Sequence, residues 1–536
     1  MQIDRKPNNK MKKIFLLAFT AIMTAVNVNA QTVEPTSSAT EVIRQRNCRV
    51  GTPNPHFVPR RAMSYDNGKS PYVGNRRQLV VLASFQDRDF TEDHDAALTK
   101  WNNIFNAENY TDGMYVGSVH DYFLAQSYGQ FNLTFDLMFV ELPDVCHKYR
   151  STNYDDEFSQ YMVDDIVDAL QTQDIDWSLY DWDGDSFVDQ LLIIYAGEGM
   201  NATNESITIW PHQWWLSQHQ NLETADRTDY RSYRTVTRDD KEYFIDSYCC
   251  VQEKVDYANL KTSFGTICHE YSHCFGFPDF YYNSGTKVVA EWDIMDYGIY
   301  SEQGFRPCSY SAHERMLMGW LTPVELTDSA FITDMPALSD EPIAYLIRND
   351  GAENEYYIVE NRQQRGWDES LPGSGIIVFH VDYDKDIWEK PGGYPNSASL
   401  KRYTIFPANN LPRKSFAGWP YPYNEADSQG NNVIANDKLT NTSAPAATLN
   451  NANVDGKKLM SKPLTQMSVD ANGLASFVFR DSIATSIHQI VINEAEMQGE
   501  RNGIDNGWYL LDGRRLNVKP TTRGLYIYQG KKLSLP

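Results

Sequence analysis

The 536-residue chain is 41% hydrophobic and 13% aromatic, enough apolar material for at least one large core, so a disordered protein is excluded. Its formal charge of −23 argues against a nucleic-acid-binding surface, where basic side chains dominate affinity. Acidity alone selects no substrate; it keeps a chain soluble.

In chain order, the first pattern runs from Met11 to Ala30. Lys12 and Lys13 precede an apolar run from Ile14 to Val26, and Val28-Asn29-Ala30 offers small side chains to a signal peptidase. Residues 1–30 therefore read as a secretory signal peptide, with Met11 as a candidate start; the apolar run falls short of the roughly 20 residues that span a bilayer. No later stretch is long and apolar enough for a membrane helix. Residues 31–77 are rich in Pro, Ser, Asn and Arg without an apolar period, which is the texture of a propeptide; Arg60-Arg61 and Arg76-Arg77 are candidate processing sites.

Order is expected from Leu79, where LVVLASF reads as a buried strand. Ala97, Trp101, Ile104 and Phe105 then fall at helical spacing. Ser118, with Asp121 three residues on, caps a second helix that stops at Gly129. Phe131 to Phe139 alternates as a half-buried strand, Phe158, Met162, Ile166 and Leu170 mark another helix, and QLLIIYAG (Gln190–Gly197) another buried strand. This mixture predicts an α+β domain over 78–327 with a twisted mixed sheet. Beyond it, IAYLIR, EYYIVENR, GIIVFHVD and RYTIF predict a β-rich, sandwich-like region over 328–480, and 481–536 reads as a linker and tail.

The chemistry is concentrated in TSFGTICHEYSHCFGFPDF, Thr262 to Phe280. A helix stacks His269 and His273, four apart, on one face, where two imidazoles can hold one divalent metal. Glu270 follows the first of them and can serve as general base toward a water on that metal. Gly276 lets the chain leave the helix with positive φ and Pro278 prevents it from resuming, so the turn can bring Asp279 round as a third ligand. Two imidazoles and one carboxylate favour Zn2+.

HEYSHCFGFPD resembles the HExxHxxGxxD signature of metzincin peptidases, and WDIMDYG (Trp292–Gly298) resembles their Met-turn, with Met295 beneath the metal. Together with GSVHDYFLAQSYGQF, DGDSFVDQLLIIYAGEG, IWPHQWW and ENRQQRGWDESLPGSGIIVFHVD, these motifs are most similar to the immune inhibitor A family of secreted bacterial metallopeptidases, over about residues 77–410. Snapalysin-type peptidases share the zinc signature but are too short to account for the flanking motifs. The resemblance implies a metzincin-like catalytic domain and a zinc endopeptidase acting on protein or peptide substrates, with His269, His273 and Asp279 as ligands and Glu270 as catalytic base and acid. Tyr297 occupies the place where some metzincins carry a tyrosine that bonds the oxyanion; a packed aromatic is the plainer reading. Cys48, in NCRVGTP within the propeptide, is similar to the cysteine switch of metzincin precursors, which implies a latent zymogen.

Seven cysteines in an exported chain leave at least one without an intramolecular partner. Cys268 and Cys274 point apart on the helix, so they either pack in the core or pair with Cys249, Cys250 or Cys308; were the other six paired, Cys48 would be the free one. Asp181, Asp183, Asp185 and Asp189 space carboxylates as a Ca2+ loop does, although glycine comes at its fourth position and Leu192 stands where an EF-hand has Glu. An acidic turn is the alternative. His212 and His380 read as packed or hydrogen-bonded residues. GWYLLDGRRLNV and GLYIYQGKKLSL, near the end, resemble the final hairpins of C-terminal sorting domains exported by a type IX route, which implies an extracellular or cell-surface location. The competing functions are a binding or adhesion protein on a peptidase fold, which would have no chemical need for Glu270, and a zinc hydrolase of non-peptide amides.

Overall fold

The computed structural model describes residues 72–480, apart from 151–157, 204–207, 219–232, 256–261, 283–284, 391–392 and 427–431, and within the tail 508–510, 515–516, 518–520, 524–528 and 531–535. The stretches read as signal peptide, as propeptide up to residue 71 with Cys48 and Arg60-Arg61, and as linker over 481–507 lie outside the described residues. The described fold is mixed α+β. No described helix is long and apolar enough to cross a membrane.

The first sheet is built from β1 (Gly74–Ser84), β2 (Phe131–Glu141), β3 (Leu191–Glu198), β4 (His212–Trp215) and β7 (Ser247–Lys254), in the order β2-β1-β3-β7-β4. All neighbours are parallel except β4, which pairs antiparallel with β7 at the edge. Alternate side chains of a strand face opposite ways, and here both ways are apolar. Val80, Leu82, Leu192, Ile194 and Cys249 pack with α1 (His94–Asn106), α2 (Val119–Gln126) and α4 (Gly265–Cys274). Leu79, Val81, Leu191, Ile193 and Cys250 pack with α3 (Ser159–Leu170) on the other face. A short hairpin, β5 (Arg234–Arg238) with β6 (Lys241–Ile245), adds to that second layer.

The predicted helix caps form: Ser118 and Asp121 make a reciprocal capping box at the start of α2. Strand β1 begins five residues before the expected Leu79. Its polar start pairs only with β2, where Arg77 Nε donates to Asp136 Oδ2 (2.7 Å) and Arg76 Nη1 to the Trp182 carbonyl (3.1 Å). Arg76-Arg77, read as a candidate processing site, thus stands inside a paired strand.

After α5 (Ala312–Leu317) the chain turns to β structure. β8 (Val324–Glu325), β10 (Tyr345–Asn349), β11 (Ala352–Arg362), β12 (Gly375–Asp382) and β13 (Tyr403–Ile405) form a second sheet in the order β13-β12-β11-β10-β8. β9 (Ala330–Met335), β16 (Leu464–Val469) and β17 (Ala475–Phe479) form a third, and β14 (Tyr423–Ala426) pairs with β15 (Asn432–Asn436). Tyr357, Val359, Ile376 and Val378 share a core with Met335, Leu464 and Phe477 of the third sheet. Tyr356, Ile358, Ile377 and Phe379, on the opposite face, share the core that contains α2 and α4. Burying each such side chain is worth about 1.5–3 kcal/mol, so the second sheet is tied to the first half of the molecule as firmly as to its own half. In the tail, β18 (Trp508–Tyr509), β19 (Arg515–Leu516), β20 (Gly524–Tyr528) and β21 (Lys531–Leu535) form a small antiparallel sheet.

Of the two readings open for the cysteines, core packing and disulfides, the structure shows the first. Cys146, Cys249, Cys250, Cys268, Cys274 and Cys308 are all thiols. Cys249 and Cys250 alternate across the first sheet into different core layers, while Cys268 packs from α4 among apolar neighbours. Burial pushes the thiols of Cys249, Cys268, Cys274 and Cys308 well up and that of Cys146 to about 12, so they behave as small apolar side chains. Cys48 can no longer be singled out by elimination.

Candidate metal centre

Helix α4 starts where Gly265 touches the turn after the Met295 segment; a Cβ there would lie 2.2 Å from the Ile299 carbonyl oxygen. It ends at Phe275, and Gly276, at φ +89°, reverses the chain with its N–H on the His273 carbonyl (2.8 Å). The turn brings Asp279 back over the helix, as its Gly and Pro predict.

Each imidazole is oriented through its other nitrogen. His269 Nδ1 is 2.8 Å from the Ile294 carbonyl and His273 Nδ1 is 2.7 Å from the Phe277 carbonyl. A carbonyl only accepts, so both Nδ1 atoms carry the proton and both Nε2 lone pairs face the site. Asp279 Oδ1 lies 3.2 Å from His269 Nε2 and 3.4 Å from His273 Nε2. It is buried and accepts no hydrogen bond of ordinary geometry. Tetrahedral coordination at about 2.0–2.1 Å sets donors about 3.3–3.4 Å apart, so both spacings from Asp279 to the imidazoles fit a zinc-sized cation. Glu270 Oε2 stands 3.9 Å from His273 Nε2, and a Glu270 oxygen clusters with one ring nitrogen of each histidine within 4.8 Å.

The electrostatics agree with that geometry. Burial works against a protonated His269, yet the Asp279 and Glu270 carboxylates outweigh it and push the group up to about 9. Burial would raise Asp279, but His273 and His269 hold it well below the usual carboxylate range. The pocket attracts positive charge, for which protons and a divalent cation compete.

Met295 is fully buried below the helix, and its turn holds both sides of the site. The Ile294 carbonyl takes His269, and the Met295 carbonyl takes the Phe280 N–H (2.8 Å), next to Asp279. Two aspartates that the sequence reading passed over shape this turn. Asp293 Oδ1 accepts the Met295 N–H (2.8 Å), and Asp296 Oδ2 accepts the N–H groups of Val288, Val289 and Ala290 at 2.8–2.9 Å. Burial pushes Asp293 up to about 6 and Asp296 up to about 7 despite those bonds. Their signal was visible in WDIMDYG as two short acceptors flanking a tight turn.

Tyr297 donates its hydroxyl to the Gly285 carbonyl (2.8 Å), and its ring lies 4.2 Å from Lys287 Nζ. Tyr281, two residues past Asp279 and also unread in the sequence, is kept protonated by burial, then by Asp279, Tyr394 and Glu270. In the acidic loop, Asp181, Asp183 and Asp189 bring an oxygen each within 4.8 Å of one another, whereas Asp185 Oδ1 accepts the Phe187 N–H (2.8 Å). Backbone amides occupy much of this cluster: Gly184 and Ser186 donate to Asp181 and Trp182 to Asp189. His380 bonds Glu355 (2.7 Å) and His212 the Trp210 carbonyl (2.7 Å), as packed histidines do.

Residues 75–319 match the family model of the immune inhibitor A peptidase M6 catalytic domain. No curated protein matches the chain. The matched segment contains the whole His269–Met295 arrangement and marks it as part of a catalytic domain of the immune inhibitor A metallopeptidase type.

Proposed function

We propose that this immune inhibitor A-type metallopeptidase is a secreted zinc endopeptidase, made as a latent precursor, with His269, His273 and Asp279 as ligands. The carrying observation is the spacing of Asp279 Oδ1 at 3.2 and 3.4 Å from two Nε2 atoms whose rings are locked from behind. Zinc, when bound, supplies Lewis acidity toward the scissile carbonyl and toward a water. Glu270 takes the proton of that water as its oxygen attacks the carbonyl carbon, and returns it to the leaving amine as the C–N bond breaks. Met295 supports the ligands without touching substrate. Incubating the mature protein and its Glu270→Ala variant with a peptide library, with and without a zinc chelator, tests this. Chelator-sensitive cleavage of internal bonds by the wild type alone is expected; its absence moves the reading to a binding module on a peptidase fold.

The apolar run after Lys12-Lys13 supports secretion, and the tail motifs support export by a type IX-like route to the cell surface. The twisted sheet over a zinc helix and Met-turn is metzincin-like, and the paired sheets beyond residue 328 are sandwich-like in this reading. NCRVGTP supports latency through Cys48, whose thiolate would take the open position on the metal. A Cys48→Ala precursor should then cleave peptides before processing; a mutant precursor as silent as the wild type counts against it. Asp181, Asp183 and Asp189 are the candidate Ca2+ donors, with Asp185 joining if its side chain turns.

A further inference from the structure

We infer that the β-rich region completes the metal centre: Asn396 and Tyr403, both beyond the family-matched segment, are positioning residues for Asp279 and for the Met295 turn. This rests on His269, His273 and Asp279 being the metal ligands. Asp279 reaches the imidazoles from an irregular segment that has no helix or sheet of its own to hold it. Its neighbour Phe280 is gripped instead at three points. The Phe280 N–H goes to the Met295 carbonyl (2.8 Å), its carbonyl accepts from Asn396 Nδ2 (2.7 Å), and its ring stacks on Tyr403 with centroids 3.9 Å apart. The planar peptide between Asp279 and Phe280 transmits that grip to the ligand.

Asn396 has no capacity to spare. Its second Nδ2 hydrogen goes to the Tyr403 carbonyl (2.9 Å), and its Oδ1 accepts the N–H groups of Arg402 (2.9 Å) and Tyr403 (3.0 Å). It is 1% exposed, so losing one partner leaves another buried group unsatisfied. Tyr403 works on the second side of the site as well. Its hydroxyl donates to Asp293 Oδ2 (2.9 Å), and Asp293 Oδ1 holds the Met295 N–H (2.8 Å). One residue of β13 thus steadies the segment that carries Asp279 with its ring, and with its oxygen the turn behind His269.

Tyr357, on the same sheet, is the internal control. It makes a comparable bond, from its hydroxyl to the Thr448 carbonyl (2.7 Å), but it packs on the opposite face with Phe406 and leads nowhere near the ligands.

The test uses the full chain and measures zinc affinity by competition with a chromophoric chelator, alongside thermal unfolding of the metal-free form. Tyr403→Phe and Asn396→Ala should weaken zinc binding by about 10–100-fold, the usual effect of removing an outer-shell partner. Tyr357→Phe should lower the unfolding midpoint and leave zinc affinity unchanged. Zinc affinity at wild-type level in both Tyr403→Phe, which removes a single oxygen, and Asn396→Ala overturns the inference. So does an equal loss in Tyr357→Phe, which would mark general loosening. His273→Ala separates the premise: zinc binding that survives it overturns the ligand set, and the inference with it.

Discussion

The candidate metal centre, through His269, Glu270 and His273, and the acidic loop, through Asp181, Asp183 and Asp189, each gather three donor groups within 4.8 Å, yet they are built in opposite ways. At the centre the candidate ligands are held from behind: each Nδ1 faces a backbone carbonyl, and the Phe280 amide beside Asp279 goes to Met295. Asp279 Oδ1 is buried and accepts no hydrogen bond of ordinary geometry. In the loop the carboxylates face inward to their own backbone, taking the amides of Trp182, Gly184 and Ser186. Lys241 Nζ, 3.8 Å from Asp181 Oδ2, adds a positive charge beside the cluster. Clustering of donors is common; donors aimed at one point with their other bonds already made are what distinguishes a metal centre.

The largest expected effect tests that distinction directly. His273→Ala or Asp279→Ala should abolish stoichiometric zinc and with it peptide hydrolysis, while Asp183→Ala should leave the zinc content of the purified protein unchanged. Zinc loss from Asp183→Ala would erase the contrast. Glu270→Ala should retain zinc and lose peptide hydrolysis by about 10²–10⁴-fold, the range for a general base.

An intermediate effect comes from pH. In the metal-free protein the folded His269 sits at about 9, above its ordinary value near 6.5. Its contribution to stability is therefore fully present below about 6.5 and lost as pH rises through about 9. Zinc needs the neutral imidazole, so its affinity should move the other way and rise over the same window. Differential unfolding of metal-free and zinc-loaded protein from pH 6 to 10 should show the gap between their midpoints widening with pH. A constant gap would mean that no imidazole proton competes with the metal.

The smallest effect belongs to the loop. If Ca2+ displaces the amide bonds there, Ca2+ at about a hundred times its Kd adds about 2.7 kcal/mol, and a few degrees of Tm, to the wild type. Asp189→Asn should abolish the shift without altering zinc binding. A wild type insensitive to Ca2+ leaves the loop as an acidic turn.

The motif helix, its exit and the return of Asp279 to the two imidazoles were legible in the sequence because each depends on near neighbours: an i, i+4 spacing, one glycine able to take positive φ, one proline unable to continue a helix. The strands LVVLASF and QLLIIYAG were legible for the same reason, since both faces of the first sheet are covered and the runs are continuously apolar. The start of β1 was not, because Asn75, Arg76 and Arg77 carry no apolar period and are placed by pairing with a strand more than fifty residues on. Nor were Asp293 and Asp296, which work by accepting amides that only a folded turn presents. The choice between packing and pairing for the cysteines was not legible for a related reason: the alternation of β7 sends the adjacent Cys249 and Cys250 into separate layers, which only the folded sheet decides.

The sequence by itself determined which donor groups come together: two imidazoles and two carboxylates, Glu270 and Asp279, within eleven residues, on a helix and the turn that leaves it. Only the tertiary structure decided what holds that chemistry still. Asn396 and Tyr403 reach Phe280 and Asp293 from more than a hundred residues away, through a sheet buried on both faces. Contacts of that range are set by register and packing, which no spacing along the chain encodes.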